Sequence, residues 1–174
     1  MKKIISTLKT NHAESVTLSS DGTKAYIADG TNGFVIADIS NPTHPTKLGS
    51  CYTYGISLDV TLSSNGTKAY IADGTNGFVI ADISDPTNPT KLVSYSIDGD
   101  AYRVTLSSDE TKAYMVDWDK GLVIVDISDP ANPNKLGCCD IDGYTYNITL
   151  SSDETKAYIA NGRNGLVIVE IKDN

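Results

Sequence analysis

Histidine is scarce in this chain: His12 and His44 are the only two in 174 residues. No Ser, Cys or Asp stands at a spacing that would couple it to a base as a nucleophile, and GxSxG, HExxH and Walker-type loops are absent. The common hydrolase, metalloprotease and nucleotide-binding chemistries are therefore disfavoured, and no cofactor is expected. Cys51, Cys138 and Cys139 form no CxxC pair, and their odd number leaves at least one unpaired in any intramolecular scheme. They read as small, partly buried residues in a reducing setting, with Cys138 and Cys139 on opposite faces of a strand. Basic residues number 14 against 22 acidic ones, for a net charge of -8, and they are spread along the chain. Neither nucleic acid nor an anionic membrane is an expected partner, because both need clustered Lys and Arg. Long hydrophobic runs are missing as well. The opening "MKKIISTLKTNHAES" offers only Ile4, Ile5 and Leu8, too little for an export signal, so a soluble chain without a signal peptide is expected.

What the chain has in abundance is itself. "VTLSS" begins at Val16, Val60 and Val104, "ITLSS" at Ile148, and "TKAY" recurs at Thr23, Thr67, Thr111 and Thr155, a period of 44 residues without insertion. Residues 16–48 and 60–92 differ only at Asp21/Asn65, Asn41/Asp85 and His44/Asn88, which points to recent duplication or deliberate design. The whole chain reads as one domain, with repeats over about 16–59, 60–103, 104–147, and 148–174 together with 1–15.

Each repeat holds four short β-type runs. In the first these are Val16 to Ser19, Lys24 to Asp29, Phe34 to Ser40 and Lys47 to Tyr54, joined by "SDGT", by "TNG" and by a loop carrying Pro42 and Pro45. Glu110 and Glu154 replace the glycine of "SDGT" in later repeats, so that turn does not strictly demand glycine. The third run, "FVIADI" or "LVIVDI", is apolar at consecutive positions, which calls for burial on both faces. Four-stranded antiparallel sheets stacked around an axis meet that need, giving an all-β propeller with four blades per chain. A helical solenoid is excluded by the missing 3.6-residue period, and a parallel β-helix would need shorter coils. The innermost strands are expected at "VTLSS" and "ITLSS", with Thr17, Thr61, Thr105 and Thr149 on one face.

"GFVIADISDPTNPTKL" (Gly77 to Leu92) and "GLVIVDISDPANPNKL" (Gly121 to Leu136) resemble the LVIVD repeat family of bacterial and archaeal proteins, many of them surface-associated. The resemblance spans nearly the whole chain and implies propeller blades and a possible cell-surface origin. It carries over no catalytic residue.

Lys3 falls one period before Lys47, Lys91 and Lys135, so residues 3–10 read as a fourth-type strand. Such a strand would complete the last blade, of its own chain or of a partner, and remove exposed sheet edges. Four blades meet at about 90° and eight at about 45°, and recurring strand alanines such as Ala25, Ala69 and Ala113 favour the closer spacing. A two-chain, eight-bladed homodimer is therefore preferred, with a closed four-bladed monomer as the alternative that ten tyrosines leave open.

Ligands of propellers usually meet the loops entering the innermost strand and those between the second and third strands. There "DWDKG" breaks the repeated "DGTNG", making Trp118, Asp119 and Lys120 candidate binding residues, with Tyr102, Arg103, Tyr146 and Arg163 on the same face. A lone tryptophan among charges suits a glycan or peptide; the competing reading is loop drift, or Trp118 packing on a neighbouring blade. Asp29, Asp73, Asp117 and Asn161 fit either a cation ring or local hairpin capping, and Asp38, Asp82 and Asp126 read as turn-stabilising. A noncatalytic binding or scaffold propeller is the preferred function, ahead of a purely structural oligomer and a hydrolase or lyase.

Overall fold

Each repeat opens with a turn that closes on itself. In the computed structural model, which describes residues 2–172, the Asp21 carboxylate accepts the Ser19 hydroxyl at 2.6 Å, the Thr23 hydroxyl at 2.8 Å and the Thr23 N–H at 2.9 Å. Asn65, Asp109 and Asp153 do the same in the later repeats. Led by the serine hydroxyl, these bonds hold the carboxyls of Asp21, Asp109 and Asp153 down to a pKa of about 2. The next residue has positive φ in every repeat: 68° at Gly22, 67° at Gly66, 57° at Glu110 and 56° at Glu154. A glutamate there costs roughly 1 kcal/mol of backbone strain. Its return is a bond between blades, since Glu110 accepts the Ser64 N–H and Glu154 accepts the Ser108 N–H at 2.5 Å.

From these turns run antiparallel strands that pair only with their sequence neighbours. Blade 1 holds β1 (Ser15–Leu18), β2 (Lys24–Ala28), β3 (Phe34–Asp38) and β4 (Thr46–Cys51). Blade 2 holds β5 (Asp59–Leu62), β6 (Lys68–Ala72), β7 (Phe78–Asp82) and β8 (Thr90–Tyr95). Blade 3 holds β9 (Ala101–Leu106), β10 (Lys112–Asp117), β11 (Gly121–Asp126) and β12 (Asn134–Asp140). Blade 4 has three described strands, β13 (Asn147–Leu150), β14 (Lys156–Ala160) and β15 (Leu166–Glu170), with a 3-10 turn at Gly162–Asn164. Asp38, Asp82 and Asp126 each end a third strand by accepting the N–H and hydroxyl of the serine two residues on. Among the described residues no helix is long and apolar enough to cross a membrane.

The blades stack through their faces, β1 against β5, β5 against β9 and β9 against β13. Tyr26, Phe34 and Ile36 of blade 1 meet Val60, Ile71 and Val79 of blade 2, and equivalent clusters join blades 2 and 3 and blades 3 and 4. Thr17 binds across the same joint, its hydroxyl donating to the Val60 carbonyl at 2.8 Å. Among the described residues no apolar cluster joins blade 4 to blade 1, so the blades form an open arc.

That arc limits two expectations within the single chain. Two-faced burial of the third strand holds for β3 and β7, but Ile124 on β11 is half-buried, and on β15 Leu166 and Ile168 are 63% and 55% exposed, because no further sheet covers them. Residues 3–10 form no strand and no ladder with β15. They lie instead beside blade 1, where Leu8 packs on Ala25, Ile27 and Val35. An extended segment lying on the face of a sheet, and not along its edge, has no ladder to join.

Replacing Ile80, fully buried, with Ala is expected to cost on the order of 2 to 4 kcal/mol in urea unfolding, through lost transfer energy and a residual cavity. The same change at its exposed counterpart Ile168 is expected to cost less than about 0.5 kcal/mol in the single chain. Equal costs at both positions would contradict the arc.

Candidate functional site

At one end of the blades the second-to-third strand hairpins meet the loops that enter the next innermost strand. The first two repeats join these loops through backbone pairs, Gly30 with Ser57 and Gly74 with Ala101. In the third repeat Trp118 stands where those glycines stood, and its N–H and carbonyl bond to Asp100 O and Thr145 N–H, both at 3.0 Å. The loop is thereby tied to both neighbouring entry loops, and the indole is held between blades 3 and 4.

Three tyrosines surround that indole. Tyr102 lies 4.8 Å from it between ring centroids, Tyr146 lies 5.0 Å away nearly edge-on, and Tyr144 lies 5.2 Å away at an interplanar angle of 35°. Tyr102 and Tyr146 occupy the same place in successive repeats and meet at 6.2 Å. Trp118 is half-buried while Tyr144 and Tyr146 remain exposed. Beside them opens a groove of about 620 Å³ lined by Tyr144, Tyr146, Gly143, Gly162, Arg163 and Asn164. Trp118 thus packs on the next blade, one of the readings the sequence offered, and is also part of a partly exposed aromatic surface.

The structure brings Tyr102, Trp118 and Tyr146 into one cluster and sets Arg163 across the groove from Tyr146. Asp119 and Lys120 are exposed at the hairpin tip. Arg103 is otherwise engaged: its guanidinium lies 4.7 Å from the Tyr102 ring centre and donates to the carbonyls of Tyr102 at 2.9 Å and Leu58 at 3.2 Å. It clamps the tyrosine and spans the joint to blade 2. Tyr144 was missed as a candidate, although the alternation in "YTYN" places it on the same side as Tyr146. The exposed pair Tyr52 and Tyr54, 4.8 Å apart with the Lys91 ammonium 4.2 Å from the Tyr54 ring centre, was missed too. His12 and His44 sit at opposite ends of blade 1, bound to Glu14 and Thr43.

Of the buried row, Asp29, Asp73 and Asn161 bond mainly across to the preceding entry segments rather than capping their own hairpins, Asp117 binds its own hairpin, and among the described residues no three His, Cys, Asp or Glu side chains converge as a metal site. Burial works to raise the Asp29 pKa, but the Thr10 hydroxyl and the N–H groups of Asn11 and His12 outweigh it and hold it low. Asp73 accepts the Thr53 and Ser57 hydroxyls at 2.6 and 2.8 Å. In the next repeat those two positions are Ile97 and Ala101, which have no hydroxyl. Asp117 keeps only the N–H groups of Asp119 and Lys120 at 3.2 Å, its second oxygen is buried without a partner, and burial pushes its pKa up.

The LVIVD repeat pattern matches the chain four times, at residues 12–53, 55–96, 98–141 and 142–174. The chain belongs to the LVIVD-repeat family. Comparison of this LVIVD-repeat chain with curated protein sequences gave no match. Among solved structures it is similar to the periplasmic gluconolactonase PpgL of Pseudomonas aeruginosa, with 16% identity and a TM-score of 0.80 over 92% of this chain and 50% of that one. Kuenenia stuttgartiensis hydrazine synthase gives 11% identity and a TM-score of 0.75, over 94% and 47% of the two chains. The β-propeller domain of a Myceliophteria thermophila protein gives 14% and 0.71, over 95% and 54%. These likenesses show the propeller fold, and the chain spans about half the length of each of these three structures.

Restoring a hydroxyl beside Asp117 by Ala101→Ser is expected to raise stability at pH 7 by about 1 kcal/mol, the usual worth of a buried hydrogen bond. The raised Asp117 pKa favours folding fully below its ordinary value of 3.8, and that contribution is lost as pH rises through the shifted value. The gain from Ala101→Ser should therefore shrink when unfolding is followed at pH 3.5 instead of pH 7. A gain independent of pH would mean the new hydroxyl does not meet the carboxylate.

Proposed function

We propose that this LVIVD-repeat chain is a noncatalytic binding propeller whose ligand is a carbohydrate held on the aromatic surface of blades 3 and 4. One observation carries the reading: on a framework repeated almost residue for residue, Trp118, Tyr102, Tyr144 and Tyr146 gather at one loop face beside an open, mainly apolar groove edged by Arg163 and Asn164. Aromatic rings offer flat apolar faces to the C–H side of a sugar, while Arg163 and Asn164 supply hydrogen-bond donors to its hydroxyls. The framework itself is one half of an eight-bladed ring made with a second copy. The open arc and its match to about half the length of several solved propellers support that assembly. A surface or periplasmic setting accords with the family and with the periplasmic neighbour.

Titration of soluble oligosaccharides against the tryptophan fluorescence of the chain tests the reading. A quench that saturates is expected, and Tyr144→Ala is expected to weaken binding at least about tenfold, or ~1.4 kcal/mol, as is Trp118→Ala, which removes the fluorophore and is read by calorimetry instead. A glycan panel with no binder, or a peptide library with one, would sink the carbohydrate assignment. Turnover of a sugar lactone above the spontaneous rate would instead place the chain among the lactonases.

A further inference from the structure

The two end faces of the arc, which no further blade covers, are the two halves of one joint. Within the chain that joint sets Tyr26, Phe34 and Ile36 against Val60, Ile71 and Val79. On blade 1 the counterparts of the second half are Val16, 62% exposed, and Ile27 and Val35, which are buried under Leu8. Blade 4 presents Tyr158, Leu166 and Ile168, the counterparts of the first half, and both aliphatic residues are exposed.

Residues 2–14 already follow the path of the connection between two blades. The Glu14 N–H donates to Ala28 O at 2.8 Å, as Leu58 does to Ala72 at 2.8 Å and Tyr146 to Ala160 at 2.9 Å. Ser6 donates its hydroxyl to Pro42 O at 2.6 Å, where one repeat later Gly49 lies against Pro86. Leu8 covers Ala25, Ile27 and Val35 as Leu48 and Cys51 cover Ala69, Ile71 and Val79. Residues 3–10 thus lie beside blade 1 as β4 lies beside blade 2, but without a sheet. At the far end β15 is a sheet edge without an outer strand among the described residues, and a groove of about 510 Å³ runs beside it over Ile124, Cys139, Val169 and Ile171.

We infer that residues 2–7 of one copy form the outer strand of blade 4 in a second copy, and that the reciprocal exchange closes the ring. This rests on the two-chain ring proposed above and adds its register. Transferring the β3–β4 pairing by the repeat period sets Thr7 opposite Leu166, Ser6 opposite Val167, Ile5 opposite Ile168, Lys3 opposite Val169 and Lys2 opposite Glu170. In the three complete blades the last pair is Asp38 with Thr46, Asp82 with Thr90 and Asp126 with Asn134. Each of these acids already faces a lysine of the second strand, Glu170 facing Lys156, and at this third-to-fourth strand pair the joint between chains would set a second lysine on the other side of the acid, a favourable cross-strand arrangement. In the single chain Glu170 binds exposed Lys172 at 3.0 Å, a contact that leaves it free to exchange.

Ser6→Cys and Val167→Cys, combined with Cys138→Ser and Cys139→Ser in the full chain, read the pairing directly under mild oxidation. A covalent species of twice the 18.6 kDa chain mass is expected, together with doubled mass by light scattering of the parent chain at micromolar concentration. Lys2→Glu and Glu170→Lys alone should each weaken the dimer at least tenfold, and the two together should restore it. A cross-link within one chain, a monomeric parent, or a mass above two chains overturns both the exchange and the two-chain ring. Doubled mass with no cross-link and no charge rescue overturns the exchanged strand and leaves the ring standing. Sugar binding is read separately, so its failure does not bear on the assembly.

Discussion

Burial of the third strand on both faces is the constraint on which this molecule depends. A strand such as Phe78–Asp82, with Phe78, Val79, Ile80 and Ala81 all fully buried, has no solvent side and lies between two other sheets. Each blade meets the requirement for its neighbour, so stability passes along the arc in nearest-neighbour steps, as in other repeat architectures. The small residues of the second strand, Ala28, Ala69, Ala72 and Ala113, all with no exposed surface, let adjacent sheets approach closely. The same constraint fails at the two ends of the arc, where large aliphatic side chains stand in water.

Against near-identical repeats each deviation carries information. Glutamate at positions 110 and 154 sits in a left-handed conformation that glycine occupies without strain, and the cost is offset by a carboxylate bond to the preceding blade. Ile97 and Ala101 remove the hydroxyls that satisfy Asp73 and leave Asp117 with a buried oxygen unmet. That orphan lies under the hairpin carrying Trp118. Of these deviations, the loss of hydroxyls at Ile97 and Ala101 is the one that costs local stability beside the aromatic cluster, while Glu110 and Glu154 lie in the turns at the other end of the blades.

Membership of the LVIVD-repeat family and the likeness to solved propellers establish architecture and leave chemistry to the site. The PpgL neighbour is a gluconolactonase, but 16% identity over half of its length conveys a shared fold and nothing of its reaction. In this chain the groups that gather at the loop face are aromatic. The histidines lie apart on blade 1, and the buried acids Asp29 and Asp73 tie their hairpins to the preceding entry segments.

The period, the four strands of each full repeat, the hairpin turns and the innermost "VTLSS" strands were all legible in the amino-acid sequence, because they follow from local turn chemistry and from the apolar pattern of single segments. Trp118, Tyr102, Tyr146 and Arg163 were legible as departures from the repeat. The role of Arg103 was not, because its partners, Leu58 O and the Tyr102 ring, are chosen by blade stacking. Nor was the unmet oxygen of Asp117, whose missing donors lie 16 and 20 residues away in sequence, to judge from the bonds Asp73 makes. The position of residues 3–10 likewise depends on the fold. Their register was written in the lysine spacing, but a strand exists only where another backbone offers its hydrogen bonds. Repetition alone determined what each blade is; stacking in three dimensions decided which faces are covered, which side chains meet at Trp118, and that the arc remains open at both ends.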